Sequence, residues 1–156
     1  MTMLNKSDDY IQNRLIWKAR KYSLPLEYSF FYSDLSSEIK EYLSVHINTE
    51  SAGIPVLFFT RPNKEWSLLC TQELIGFNNY DFYSLPLKEI SHITCNIKEQ
   101  VEVSEDSQKV KQLVKAEWYK LAVKNKNEQV FSFYTYKGPD LFALWNILLM
   151  AVRLYP

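Results

Sequence analysis

Two cysteines, Cys70 and Cys95, and two histidines, His46 and His92, are the only thiols and imidazoles in the chain. A thiol becomes a useful nucleophile when a basic partner is held within hydrogen-bond reach of it. The two cysteines lie 25 residues apart and form no CxxC unit, which points away from a zinc site or a disulfide framework and toward two reduced, buried thiols. His46 falls near the end of a helical stretch, where a cation suits the dipole, and His92 falls beside a strand; neither has another ligand type at metal spacing. An enzyme built on this sequence would use Cys70 or a histidine, for instance a Cys70–His92 pair brought together across the fold. Cys70 sits in an apolar strand register, where thiols are inert.

The carboxylates make no stronger case. Glu38 and Glu41 are three apart on a helical stretch, and Glu102, Glu105 and Asp106 lie in a polar loop, so solvated faces explain both groups. With Gly53, Gly76 and Gly138 as the only glycines, neither a GxGxxG turn nor a Gly-rich loop ending in Lys-Ser/Thr is present to cradle phosphate. The expectation is a chain with no catalytic residue, no metal and no cofactor. Eleven Tyr, nine Phe and four Trp are the unusual feature of the composition. Tyr28, Phe30, Phe31 and Tyr32, with Tyr80, Phe82 and Tyr83, could stack on unpaired bases. Such platforms need a basic groove, and Lys plus Arg equals Asp plus Glu at 18 each; nucleic acid is therefore not expected. Packing, and a Tyr-rich surface for a protein partner, is the better use of these rings.

The elements that would position these residues follow from periodicity and turn chemistry. A chain of 156 residues fits one domain and buries about 68–70% of its unfolded surface. Residues 8–22 place Ile11, Leu15 and Tyr22 at helical spacing between an acidic start and a basic end. Pro25 ends that helix, the aromatic connector EYSFFYS follows, and DLSSEIKEYLSVHI predicts a second helix capped by Asp34 or Ser36, with Leu35, Ile39, Tyr42 and Leu43 on one face. After a polar joint at Thr49 to Gly53 the pattern changes to strands: IPVLFFT, a turn at Pro62 and Asn63, WSLLCT, ELIGF, a two-residue hairpin at Asn78 and Asn79, YDFYSLPL, and a strand from Ile90 to Ile97. The charged run KEQVEVSEDSQKVKQ reads as a long loop. LVKAEWYKLAVK and EQVFSFYTY then form a hairpin across Asn125 to Asn127. Gly138 and Pro139 end the last strand and Asp140 caps a closing helix.

Helix, helix, about seven strands and an amphipathic helix suggest an α+β fold: a twisted antiparallel sheet curled into a partly open barrel with a helix over one mouth. Residues 54–155 resemble the pleckstrin-homology-like superfamily. WSLLCTQELIGFNNYDFYSLPLKEISHI is similar to the segment of bacterial PH-like and GRAM-like domains in which a strand ends in Thr, the next opens on Leu-Ile, and a Leu-Pro-Leu phrase with Ile three positions on opens the strand after. Trp145, with Leu149 four residues later, resembles the Trp that PH domains place in the closing helix. The resemblance implies a seven-stranded antiparallel barrel over residues 54–156, with residues 1–53 as a helical extension packed on it. Phosphoinositide-binding PH domains gather several cations at the first strand-to-strand loop; here that loop offers Arg61 and Lys64, with Glu65 beside them. Lipid-headgroup binding would rest on those two residues and would be weak.

The closing stretch DLFALWNILLMAVRLY is about 24 Å long as a helix, against about 30 Å of bilayer core, and Asn146 and Arg153 interrupt it; no membrane span is expected. The first 22 residues lack the apolar core of a signal peptide, which makes the cytoplasm the default expectation. Drawn as a wheel, Leu141, Leu144, Trp145, Leu148, Val152 and Tyr155 share one arc. The opposite arc carries Phe142, Asn146, Leu149 and Arg153, and its apolar members need a cover: the N-terminal helices, a second copy of the chain in a homodimer, or a different protein. Together with Phe30 and Phe31 these residues are the expected partner surface. The function these readings converge on is a non-enzymatic module for a protein or peptide partner, of which a cognate inhibitor such as the immunity partner of a toxin would be one form.

Overall fold

A computed structural model of the chain describes residues 6–103 and 109–155. Helix α1 spans Asp8–Lys21 and starts where the sequence places it: the Ser7 hydroxyl accepts a bond from the Tyr10 amide, Asp8 and Asp9 occupy the first turn, and Lys18, Arg20 and Lys21 the last. Each of those charges opposes the macrodipole end it sits on. Ile11, Leu15 and Ala19 are its buried stripe; Tyr22, expected on that stripe, is only half-buried. Helix α2 covers Ser37–Ser44, capped by Ser36 and not Asp34, and buries Leu43 alone. A single-turn α3 (Thr49–Ala52) replaces the expected polar joint and closes at Gly53, whose φ of 75° suits glycine.

The architecture is α+β, with antiparallel sheets and a C-terminal helix. Strands β1 (Ser29–Phe31), β2 (Pro55–Thr60), β3 (Trp66–Cys70), β4 (Glu73–Phe77) and β5 (Phe82–Pro86) form a five-stranded meander in that order. A second sheet has the order β10-β9-β6, from β6 (Ile90–Thr94), β9 (Lys120–Asn125) and β10 (Val130–Tyr134). The charged run expected as a loop contains a two-stranded ribbon, β7 (Val101–Val103) with β8 (Val110–Gln112); Glu105 and Asp106 lie outside the described residues. The strand expected from residue 113 begins only at Lys120, because Lys115–Glu117 make a 3₁₀ turn. Both hairpin turns are longer than expected, with Asn79 and Glu128 supplying the left-handed residue.

The aromatic connector was missed as a strand: Phe30 pairs with Phe58, so the N-terminal segment supplies the edge of the large sheet. At its centre that sheet is buried on both faces, and every residue of β3 is buried. Trp66, Leu68 and Cys70 join Leu43 and Ala52 in a core under α2 and α3, while Leu57, Phe59 and Leu69 join the main core. The main core also takes Ile11, Leu15 and Ala19 from α1, Leu121, Val123 and Phe133 from the second sheet, and the buried stripe of α4 (Pro139–Arg153).

The two sheets do not close into a barrel: no backbone ladder joins them among the described strands. Side chains stitch the corner instead. The Ser67 hydroxyl donates to the Tyr134 carbonyl at 2.8 Å and accepts from the Tyr134 amide at 3.1 Å, and the Tyr83 hydroxyl donates to the Ser132 carbonyl. Gly76 permits the approach, since a Cβ there would stand 2.7 Å from the Tyr83 ring and 3.0 Å from that of Phe133. The closing helix also departs from its wheel. Leu141, Ala143, Leu144, Ile147, Leu148 and Ala151 are fully buried, whereas Trp145, Val152 and Tyr155 are half-buried; the buried arc is turned toward Ala143, Ile147 and Ala151, and α1 packs against this helix. Among the described residues no helix is long and apolar enough to cross a membrane.

Candidate functional site

Arg61 and Lys64 do not converge on a ligand. Arg61 leaves β2 and its guanidinium is held within the protein: Nη1 donates to the Thr135 carbonyl at 3.0 Å, the group lies 4.3 Å from the centre of the Tyr119 ring, and the Glu65 carboxylate is 3.0 Å from Nε. That last contact is an ion pair by distance without hydrogen-bond geometry, since the buried Nε has no bonded partner. Lys64 occupies the left-handed position of the turn, with φ of 77°, and is exposed. A cleft of about 300 Å³ beside Arg61 is bordered by Tyr119, Tyr136 and Lys137 but also by Glu102 and Glu117, a mixture of charges that does not favour an anion.

The candidate nucleophile and bases are separate. Cys70 is fully buried beneath α2, and desolvation, reinforced by the Glu73 carboxylate, pushes its thiol far above the usual range. Cys95 is pushed up to about 11, again chiefly by burial and then by Glu99; its thiol donates to the Lys120 carbonyl. His46 stacks on Phe82 with ring centres 3.7 Å apart, and His92 is exposed on β6 beside Ser91. No hydrogen bond joins either cysteine to a histidine among the described residues. No cluster of three or more His, Cys, Asp or Glu side chains suited to a metal occurs among them either.

On the closing helix, Phe142 is met by the segment before β9: Trp118 lies 6.4 Å away and the Lys115 ammonium 5.5 Å from the ring, with Trp145 stacked at 6.1 Å on the same helix. Asn146 donates back to the Phe142 carbonyl at 2.8 Å, Leu149 is half-buried and Arg153 is exposed. Phe30 packs against the core under α2. Phe142, Asn146, Leu149 and Arg153 thus stay on one face of α4, while Phe31 leads elsewhere.

Phe31 lines one of two adjoining hollows along α1. The first, about 320 Å³, is bordered by Asn13, Ile16, Trp17, Arg20 and Lys21. The second, about 290 Å³, lies between α1 and the β1–α2 segment and includes Ile16, Phe31, Tyr32, Lys40, Pro55 and Val56. Ile16 belongs to both, so they read as one groove with an apolar and aromatic floor. Trp17 is 44% exposed despite its size. The Arg14 guanidinium lies 4.4 Å and the Lys21 ammonium 4.7 Å from its ring centre. Sequence reasoning overlooked Trp17, Arg20 and Lys40. The alternation of one Trp with Arg14, Lys18, Arg20 and Lys21 over two helical turns was the available signal, and the zero net charge of the whole chain obscured it.

No protein-family model matches this chain, and no curated protein matches it.

Proposed function

We propose that the protein is a non-enzymatic recognition module on a pleckstrin-homology-like scaffold, and that it binds a protein or peptide segment in the groove beside α1. The element order supports the scaffold: a meander from β2 to β5, a second sheet stitched across its corner, and a closing helix, with the β7–β8 ribbon inserted and β1 added at the edge. The observation that carries the recognition reading is the groove itself, where Ile16, Trp17, Phe31 and Val56 border about 300 Å³ hollows that no described side chain fills. Apolar hollows of this size hold side chains of a docked segment, and exposed Trp and Tyr are over-represented where proteins meet. The chemistry of the thiols supports a role without catalysis, because neither is ionised near neutral pH.

A direct test is selection from a displayed library of twelve-residue peptides against the immobilised full chain, repeated with Phe31→Ala/Ile16→Ala. Peptides that bind the parent and lose binding to the variant support the reading. Turnover of a substrate panel that is abolished by Cys70→Ala would overturn it.

A further inference from the structure

We infer that the segment received by the groove is acidic: an extended or helical stretch of a partner protein in which Asp or Glu residues flank an apolar anchor. This inference rests on the groove being the recognition site and adds the chemistry of what enters it. Arg20 and Lys21, on α1, border the first hollow and Lys40, on α2, borders the second, and no described carboxylate borders either. The three ion pairs among the described residues are Arg61–Glu65, Lys120–Glu99 and Lys124–Glu128. Arg14, Lys18, Arg20, Lys21 and Lys40 therefore have no described carboxylate within ion-pair distance. In a chain whose charges sum to zero, the three cations that border these hollows, Arg20, Lys21 and Lys40, are a local field that attracts and orients an anionic partner.

The placement of the cations also selects among anionic partners. Arg14 and Lys21 flank Trp17 from three residues before and four after it, Arg20 lies 6.0 Å from the Phe31 ring, and Lys40 lies 5.7 Å from the Tyr32 ring. With cations over their faces, these rings do not offer the open surface on which a nucleobase stacks. Ile16 and Val56 lie in the groove, half-buried and buried, so a flat bilayer would meet the cations and Trp17 but not the apolar floor. A polypeptide segment can place carboxylates on the rims and an apolar side chain between them. Lys40 has one hydrogen bond, to the Ser33 carbonyl at 3.1 Å, and an ammonium has three donors, so it can hold that carbonyl and still meet a carboxylate.

Display of twelve-residue peptides on the full chain tests this when the selected sequences are resynthesised and titrated by fluorescence anisotropy. The expected result is enrichment of sequences with several Asp or Glu around Leu, Ile or Phe. Binding of these should weaken about tenfold or more with Arg20→Glu/Lys21→Glu, and severalfold when salt is raised to about 0.5 M. Arg20 and Lys21 are exposed, so the double variant should retain its circular dichroism, with a small fall in melting temperature because Glu at the C-terminal end of α1 opposes the macrodipole. Lys40→Gln, which keeps an N–H donor and removes the charge, should weaken binding in the same direction. Neutral or basic peptides that bind in the groove, shown by loss of binding to Phe31→Ala/Ile16→Ala, would overturn the acidic assignment and leave peptide recognition standing. No enrichment, or enrichment insensitive to every groove variant, would overturn both. Tighter binding of vesicles containing phosphatidylserine, or of a dT twelve-mer, than of any selected peptide would also overturn both.

Discussion

Asp140 shows how one residue can defeat a local rule. Its position after Gly138 and Pro139 is that of a helix cap, yet Gly138 is the residue that precedes the helix, and the Asp140 carboxylate is buried, accepting a bond from the Ser29 hydroxyl of β1. Burial raises its pKa above the ordinary aspartate value, only partly offset by bonds from Ser29 and backbone amides. A carboxyl whose folded pKa lies above its unfolded one adds stability when protonated. That contribution is complete below the unfolded pKa and is lost as pH rises through the folded one. Urea titrations should therefore show wild-type stability falling relative to Asp140→Asn as pH increases from about 3.5 toward 7; a difference that is flat or rises with pH would contradict the assignment. Gly76 gives a steric counterpart. Gly76→Ala drives a methyl into Tyr83 and Phe133 at the sheet corner, which should cost about 1–3 kcal/mol in denaturant unfolding. The thiols supply a third test: in the native protein Cys70 should resist a thiol reagent at pH 8 until the chain is unfolded, while Cys95, half-buried, should react slowly.

At the scale of elements, Gln100 joins the β7–β8 ribbon to the second sheet. Its buried side chain accepts from the Tyr119 and Lys120 amides at 2.9 and 3.2 Å and donates to the Lys120 carbonyl at 2.7 Å. Gln100→Ala strands these groups, so it should cost about 1–3 kcal/mol and speed hydrogen exchange at the Tyr119 and Lys120 amides before it affects the large sheet. Nothing in the run KEQVEVSEDSQKVKQ marks this glutamine apart from its polar neighbours, because its burial depends on a strand twenty residues away. The elements that are legible have signals contained within themselves: α1 through its charges and apolar spacing, the turn at Pro62 and Asn63 through its residue types, β2 to β5 through apolar runs. Those misread depend on distant partners. The connector 29–31 becomes a strand only because β2 offers an edge, and the arc buried on α4 depends on the elements packed against it, α1 among them.

For the whole molecule, helices pack on both faces of the large sheet at β3 and β4, and apolar hollows lie at the seam between α1 and the β1–α2 segment. Of that seam Phe31 and Tyr32 alone are singled out by the sequence, since a groove made by three elements distant in the chain has no linear pattern. Recognition through this groove is tested most directly by titrating the ¹⁵N-labelled full chain with a display-selected peptide and following amide chemical shifts. The prediction is a contiguous set of perturbations at Ile16, Trp17, Arg20, Phe31, Lys40 and Val56, saturating with the binding curve and lost with Arg20→Glu/Lys21→Glu. Saturable shifts confined to the Arg61 cleft or to the exposed side of α4, with the groove amides unmoved, would contradict it.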